Sequence, residues 1–215
     1  MVKGRSAADM RDFLQSLQGR HKVKVVCIDM NSAYRRLVRE WFPNARIVAD
    51  RFHVIRLVNQ HFSELCKAID EKQLAHGRGG MMRLLLTRRD RLTDAQKERL
   101  RIYFVDSPGI ESLYGFLHET ADLLRVRAQS VDSCRRYVAE LLNKIDLLRK
   151  TPFAPLRTLG KALHNWREEV ARMFRFTRNN GITEGFHRKM KLIQRRAYGF
   201  RNFENYRLRV RVLCC

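Results

Sequence analysis

Two acidic residues, far apart in the chain, stand in settings that suit metal-dependent chemistry. Asp29 directly follows the apolar run 23–28, and Glu184 stands in the first turn of a predicted helix rich in cations. An acid in the first helical turn is ordinarily explained by the helix dipole. The alternative is a shared metal site, because metal-dependent phosphodiester cleavage needs carboxylates that converge on divalent ions. Mg²⁺ prefers such oxygen ligands.

Cations surround Glu184 and are in excess over the whole chain. Its 215 residues include 44 Lys and Arg against 22 acids, which gives a formal net charge of +22. A compact fold with this charge repels itself unless a polyanion neutralises it, so nucleic acid is the first candidate partner and an anionic membrane the second. The cations nearest to Glu184 could form a solvated face, but the total charge favours contact with nucleic acid. These predicted nucleic-acid-binding residues are Arg178, Arg188, Lys189, Lys191, Arg195 and Arg196.

Several other classes of protein are disfavoured. No apolar run approaches the length of a membrane span, and the first residues lack the apolar centre of a signal peptide. We therefore expect a cytoplasmic protein. The five cysteines are odd in number and lack paired spacing, which argues against a zinc site or a disulfide framework. Cys27, Cys66 and Cys134 lie in apolar patterns and are predicted to be small core residues.

The elements that must position Asp29 form a strand–helix–strand unit. The β-branched run 23–28 predicts a buried strand, residues 32–41 predict a helix that ends before Pro43, and residues 46–49 predict a second strand that ends at Asp50. Such a unit implies parallel strands joined by a right-handed crossover. Asp29 and Asp50 then both lie at carboxyl ends of strands, where open α/β sheets place their sites.

Helices are predicted for the rest of the chain. About five consecutive helices separate Asp50 from Glu184, the first over 52–72 and the last over 156–174, with Trp166 in its apolar core stripe. Asn180 can cap the helix that carries Glu184. Its apolar stripe comprises Ile182, Phe186, Met190, Ile193 and Ala197.

Two groups of motifs resemble one family of bacterial enzymes. The first is Val26-Cys27-Ile28-Asp29-Met30 with Tyr34, then Phe42-Pro43-Asn44-Ala45 and Val48-Ala49-Asp50-Arg51-Phe52-His53-Val54. The second is Asn180-Gly181-Ile182-Thr183-Glu184-Gly185, then Lys191, Arg196-Ala197-Tyr198-Gly199-Phe200 and Asn202-Phe203. In order and spacing, these motifs are similar to the ISL-three family of DDE transposases of insertion sequences, over nearly the whole chain.

The resemblance implies a fold, a site and partners. The fold would be a mostly helical α/β structure, in which a two-strand parallel remnant of a ribonuclease-H-like sheet is interrupted by an all-helical insertion. Its segments would be the strand–helix–strand unit 1–54, the insertion 55–176 and the basic helices 177–215. Asp29 and Glu184 would be the second and third catalytic acids and would hold Mg²⁺, with Mn²⁺ as an alternative. The partners would be transposon-end and target DNA at the bacterial nucleoid, and a second copy of the chain or a full-length transposase.

The chain departs from the family at the first catalytic acid, which lies on an earlier strand in that family. Asp9 and Asp12 fall in a predicted opening helix and do not replace it. We therefore expect an N-terminally truncated transposase. The alternative is a catalytically inactive remnant that binds DNA or a transposase, and RNA binding is weaker because no RNA-recognition motif is present.

Two residues close to the second strand have open roles. Asp50 could be a further metal ligand, although an interaction with Arg51 or a neighbouring backbone amide is the simpler interpretation. His53 could contact phosphate, or it could be a capping or core residue.

Overall fold

The computed structural model describes residues 7–74, 80–176 and 181–214. These residues are mostly helical and include two short strands, β1 (Val25–Ile28) and β2 (Arg46–Ala49), which pair in one parallel sheet. The prediction of a mostly helical chain with a two-strand parallel sheet is confirmed, while the ribonuclease-H-like relationship stays a prediction. The helices are α1 (Ala7–Ser16), α2 (Ser32–Trp41), α3 (Arg51–Ile69), α4 (Glu71–Leu74), α5 (Met81–Leu86), α6 (Asp94–Asp106), α7 (Pro108–Arg125), α8 (Val131–Lys150), α9 (Ala154–Asn165), α10 (Arg167–Arg172), α11 (Gly181–Arg196) and α12 (Phe203–Cys214).

The strand–helix–strand unit follows the sequence pattern closely, except at its beginning. β1 starts at Val25 rather than at Val23, because a 3₁₀ turn precedes it and the Val23 N–H donates to the carbonyl of Arg20. Helix α2 begins after Asn31, whose side chain accepts a hydrogen bond from the Ala33 N–H at 2.8 Å. Such a cap satisfies one of the amides that lack a partner in the first helical turn.

The chain forms two compact units, one of residues 1–47 with 178–215 and the other of residues 48–177. The second, which we call the helical unit, contains α3 to α10. The division at residues 54 and 176 into parts with separate functions stays a prediction.

The closest helix packing in the helical unit joins α8 and α9. Gly160 lies in α9, and a Cβ atom at this position would stand 2.7 Å from the backbone nitrogen of Arg149 and 2.9 Å from Cβ of Leu148. The absence of a side chain therefore lets the two backbones approach. Leu159 and Leu163 on either side of this glycine are fully buried, so the contact belongs to the main core.

The first helix of this unit ends earlier than its apolar pattern predicts. Helix α3 stops at Ile69, since Asp70 leaves the helical backbone conformation, and its carboxylate accepts a hydrogen bond from the Tyr103 hydroxyl at 2.8 Å. Burial raises the pKa of Tyr103 above its ordinary value, and the bond to Asp70 raises it further. The hydroxyl therefore stays protonated and links the end of α3 to α6.

The predicted helix 156–174 is two helices. Trp166 separates α9 from α10 with φ −112° and ψ 13°, and its N–H is shared by the carbonyl oxygens of Ala162 and Leu163. The indole is buried, as predicted. With this break and the one at Asp70, eight helices rather than about five lie between Asp50 and α11 in the described ranges.

Helices α11 and α12 form a hairpin with a small core of its own. Ile193, Tyr206 and Val210 are buried in it, and Met190 packs against them. The predicted stripe is therefore confirmed at Met190 and Ile193 but is wrong at Phe186, which keeps 45% of its surface exposed. Helix α12 is four residues shorter than α11, and the cluster begins one turn after Phe186. Asn180 lies outside the described residues, and so does the side chain of Ile182.

Two further predictions concern membrane spans and the cysteines. Within the described ranges, no helix has both the length and the apolar character needed to cross a bilayer. Cys66 is buried, as predicted for a small core residue, and burial raises the pKa of its thiol to about 11. Cys27 and Cys134 are only half-buried, so the prediction of a core position is less accurate for these two.

Candidate functional site

Asp29 occupies a tight turn between β1 and α2. Its carbonyl oxygen accepts a hydrogen bond from the Asn31 N–H at 2.6 Å, and Asn31 in turn caps α2. The strand on one side and the capped helix on the other fix the backbone that carries the carboxylate. Asp29 is half-buried, which leaves part of its surface accessible to solvent.

Asp50 holds the corresponding position after β2. It is 3% exposed and caps α3, where Oδ1 accepts the Phe52 N–H at 3.1 Å. Oδ2 accepts a hydrogen bond from Nδ1 of His53 at 2.9 Å. The predicted bond to a neighbouring amide is confirmed, whereas Arg51 points to other partners. A carboxylate can only accept, so Nδ1 carries the proton and the orientation of the imidazole is fixed.

These side chains come together within the segment that runs from β1 to the first turn of α3. One ligand atom each from Asp29, Asp50 and His53 lies within 4.8 Å of the other two. Carboxylate oxygens suit Mg²⁺ and Mn²⁺, and an imidazole nitrogen is better suited to transition metals, so the full set fits Mn²⁺ well. From the sequence alone, a hydrogen bond to a neighbouring group is the simpler role for Asp50. The signal for a joint site was the position of both aspartates at carboxyl ends of consecutive parallel strands.

Arg51 anchors the first turn of α3 to the rest of the helical unit. Its guanidinium donates to the carbonyl oxygens of Arg125 at 3.1 Å, Val126 at 3.2 Å and Met173 at 2.8 Å. Burial lowers the pKa of Arg51, and the charge of Arg127 lowers it further. The carbonyls of Arg125 and Val126 end helix α7, where the helix dipole favours a cation. The first turn of α3, which carries Asp50 as its cap and His53, is therefore held in place by three hydrogen bonds from Arg51. No local sequence pattern indicates these bonds.

Glu184 lies in the first turn of α11, as predicted. Its side chain and the whole of Arg178 fall outside the described residues. The structure therefore fixes the backbone position of Glu184 within a helix but leaves its predicted role as a ligand untested.

The remaining predicted DNA-binding residues lie on α11 and are exposed. At 100° per residue they occupy one sector of about 160°, opposite the stripe that contains Ile193. The geometry thus gives α11 a cationic face and an apolar face. The cations are Arg188, Lys189, Lys191, Arg195 and Arg196.

Asp9 and Asp12 both belong to helix α1, as predicted. Neither follows a strand, so neither repeats the placement of Asp29 and Asp50. Among the described acids, this strand-end setting is thus confined to the sheet formed by β1 and β2.

Comparisons with known proteins agree with the motifs. The profile of the ISL3 group of DDE proteins, described as "Transposase", matches residues 1–210. The chain is similar to the transposase for insertion sequence element IS1001 of Bordetella parapertussis, with 26% identity over 217 aligned residues. The alignment covers 97% of this chain and 52% of the relative, so the chain spans about half the length of that protein. No solved structure matches.

The match to the family profile covers far more than half of the chain and includes both groups of motifs, with Asp29 at the end of β1 and Glu184 in α11. The chain therefore belongs to the ISL3 family of DDE transposases of insertion sequences.

Proposed function

We propose that the chain acts in the transposition of an insertion sequence, where it takes part in cutting DNA strands and joining them to a target. The observation that carries this proposal is the position of Asp29 at the end of β1, where one ligand atom each of Asp29, Asp50 and His53 lies within 4.8 Å of the other two. The family assignment supports it. The substrates would be transposon ends and target DNA at the bacterial nucleoid, in the cytoplasm.

Asp29 and Glu184 are proposed as the catalytic metal ligands, with Mg²⁺ as the ion and Mn²⁺ as its alternative. A divalent ion would supply an activated water and would stabilise the charge that develops on the phosphate. Asp50 orients His53 through the 2.9 Å bond, and His53 is proposed to complete the ligand set beside Asp29. A ribonuclease-H-like arrangement of β1, β2 and α11 would bring Glu184 to the same site.

The cationic face of α11 is proposed to hold the DNA backbone next to these acids. Lys and Arg side chains on one sector of a helix can neutralise successive phosphates and release condensed counterions. Such contacts position the duplex without reading its sequence. Weak sequence selectivity and strong salt dependence are therefore expected. A second copy of the chain or a full-length transposase is proposed as the protein partner.

Metal binding is the direct test of the ligand assignment. We expect Asp29→Asn to weaken Mn²⁺ binding to the purified chain at least about tenfold, as judged by electron paramagnetic resonance of free Mn²⁺. Asp12→Asn is the matched control, since Asp12 is an exposed acid on α1. Equal affinity of the Asp29→Asn variant and the unchanged chain would contradict the assignment.

Activity separates the proposal from its alternative, a remnant that binds DNA without chemistry. We expect no nicking of plasmid DNA by the 215-residue chain in Mg²⁺ or Mn²⁺, because two acids do not replace three. Fusion to the other half of the Bordetella relative should give nicking that Glu184→Gln abolishes. A folded fusion that binds DNA but never nicks it would favour the inactive remnant.

A further inference from the structure

The turn between α11 and α12 carries a tyrosine in an unusual backbone setting. The Gly199 N–H donates to the carbonyl of Gln194 at 2.9 Å, and the Tyr198 N–H donates to that of Arg195 at 3.2 Å. These two bonds are the pattern of a Schellman motif, in which the first residue beyond the cap is left-handed and is usually glycine. Tyr198 occupies that position with φ 50°.

A tyrosine in this conformation is strained. For a residue with a Cβ atom the left-handed region is unfavourable, and such strain persists only where the surrounding structure enforces it. Gly199, the next residue, also has a positive φ of 95°. Tyr198 therefore occupies a position of the turn where a glycine would have no backbone strain.

Packing does not account for the tyrosine. Its side chain is fully exposed, at 101% of the reference value. The aromatic residue that does hold the turn is Phe200, whose ring centroid lies 5.2 Å from that of Tyr206 and which packs against the small core of the hairpin. Tyr198 thus adds a strained conformation and an exposed ring without contributing to that core.

The surroundings of the ring are strongly cationic. Arg195, Arg196 and Arg201 lie within three residues of Tyr198, and all three are exposed. Residues 181–214 contain nine Lys and Arg against two Glu. An exposed aromatic ring among arginines is the combination with which proteins stack on bases and hold the adjoining phosphates.

We propose that Tyr198 stacks on an unpaired or unstacked DNA base, while the neighbouring arginines contact the phosphates on either side of it. This inference rests on the proposed function, in that the ligand is DNA. It adds the recognition of a locally opened strand, since a base inside an intact duplex already has neighbours on both of its faces. A ring at the end of a short turn can reach a base whose face is uncovered.

The test compares two DNA probes with the full chain. One is a duplex of about 30 base pairs that contains a single unpaired 2-aminopurine, and the other is the same duplex fully paired; affinity is measured by anisotropy and stacking by fluorescence quenching. We expect the unchanged chain to prefer the first probe. Tyr198→Ala should lower affinity for it by about 5- to 150-fold, the range measured for single base–aromatic contacts.

Three variants define the controls. Tyr198→Trp should retain the preference, and Tyr198→Leu, which keeps an apolar side chain in the same backbone conformation, should lose both the preference and the quenching. Phe153→Ala removes another exposed aromatic at a helix boundary, in the helical unit, and should leave binding unchanged. Circular dichroism establishes that each variant is folded.

The outcomes distinguish this inference from the proposed function. Unchanged affinity of Tyr198→Ala for the unpaired probe, or an equal loss for both probes, would overturn base stacking. If the unchanged chain shows salt-dependent duplex binding but no preference for the unpaired probe, stacking fails and the proposed DNA contact by α11 stands. If the unchanged chain binds neither probe at low salt, both base stacking by Tyr198 and the proposed DNA contact by α11 are wrong.

Discussion

The helical unit and the α11–α12 hairpin differ in how many of their Lys and Arg side chains are balanced by nearby acids. The helical unit, residues 48–177, has 24 Lys and Arg against 16 acids, while residues 181–214 have nine against two. Many cations of the helical unit pair with an acid one turn away, as Lys97 does with Asp94 and Arg101 with Glu98, both at 2.8 Å. Such exposed pairs add little stability, but they neutralise the surface locally.

The hairpin has too few acids for this arrangement. Arg207 contacts Glu204 at 3.5 Å, and the cations of α11 face solvent. Its core is also much smaller than that of the helical unit. The helical unit therefore has the larger apolar core, whereas the hairpin has the larger excess of cations over acids for its length. A count of cations alone therefore does not predict the affinity of a region for DNA.

Removing cations from α11 should have the largest effect. We expect replacement of Lys189, Lys191, Arg195 and Arg196 by Ala to make the slope of log affinity against log salt shallower by roughly 3 to 4, since each phosphate contact contributes about 0.9. Affinity for duplex DNA is measured by anisotropy between about 50 and 200 mM salt, a range over which such contacts dominate binding.

A matched control for that variant exists in the helical unit. Lys97, Arg101, Arg135 and Arg149 each pair with an acid three residues earlier, and their replacement by Ala removes the same number of charges. The slope should then hardly change. If both variants flatten it equally, net charge alone governs binding and the contrast between the two regions is wrong.

The packing of the helical unit can be broken at Gly160. A methyl group there would meet the α8 backbone at 2.7 Å, so Gly160→Ala should lower the free energy of unfolding by about 1–3 kcal/mol. The measurement is urea unfolding followed by circular dichroism. Gly115→Ala is the control, because Gly115 lies in α7 with open space around it, and this change should stabilise the helix by about 0.5–1 kcal/mol.

The stability of the helical unit should also depend on pH through His118. This residue is buried, its Nε2 donates to the Leu85 carbonyl at 3.0 Å, and burial lowers its pKa below the ordinary value. The unfolded chain therefore binds a proton more readily, so stability falls as pH drops through the ordinary pKa of 6.5 towards the lowered value.

The change with pH is at most about 1.4 kcal/mol per pH unit for one such group. His118→Gln keeps an N–H donor but does not titrate, so urea unfolding between pH 5 and pH 8 should show a shallower dependence on pH. An unchanged dependence would assign the effect to other residues.

The smallest effect is expected at the turn of the hairpin. Tyr198→Gly relieves the left-handed conformation and should stabilise the hairpin by about 1 kcal/mol, measured as slower hydrogen exchange of α11 amides. Gly199→Ala places a Cβ atom at φ 95° and should have the opposite effect. Faster exchange in the Tyr198→Gly variant would show that the tyrosine ring supports the turn.

The sequence predicts local structure in this protein better than it predicts the places where distant segments meet. The bounds of α2 and β2 follow from an Asn cap, a β-branched run and Pro43, all of which act on their own neighbours. The break at Trp166 could not be predicted in this way. Leu163 and Val170 continue the same helical stripe on both sides of it, so periodicity indicates one continuous helix.

The same distinction applies to the candidate site. Asp29 and Asp50 could be found from the sequence because each ends a strand, and the Asp50–His53 contact spans only three residues. The partners of Arg51 lie 74, 75 and 122 positions away, and only the folded helical unit brings them together. Glu184 could be placed in a helix, but a local pattern does not specify what its carboxylate meets.

The hydrogen bond from Arg51 to the Met173 carbonyl, 2.8 Å long, also shows where the two ends of the helical unit lie. Arg51 lies three residues after the first residue of the unit and Met173 four residues before its last. This one hydrogen bond joins a residue near the beginning of the helical unit to a residue near its end, so the two ends of the unit lie close together. Segments whose ends lie close together tolerate insertion and circular permutation. A short Gly-Ser linker between the two ends of the helical unit should therefore allow its described helices, α3 to α10, to be reconnected in a new order.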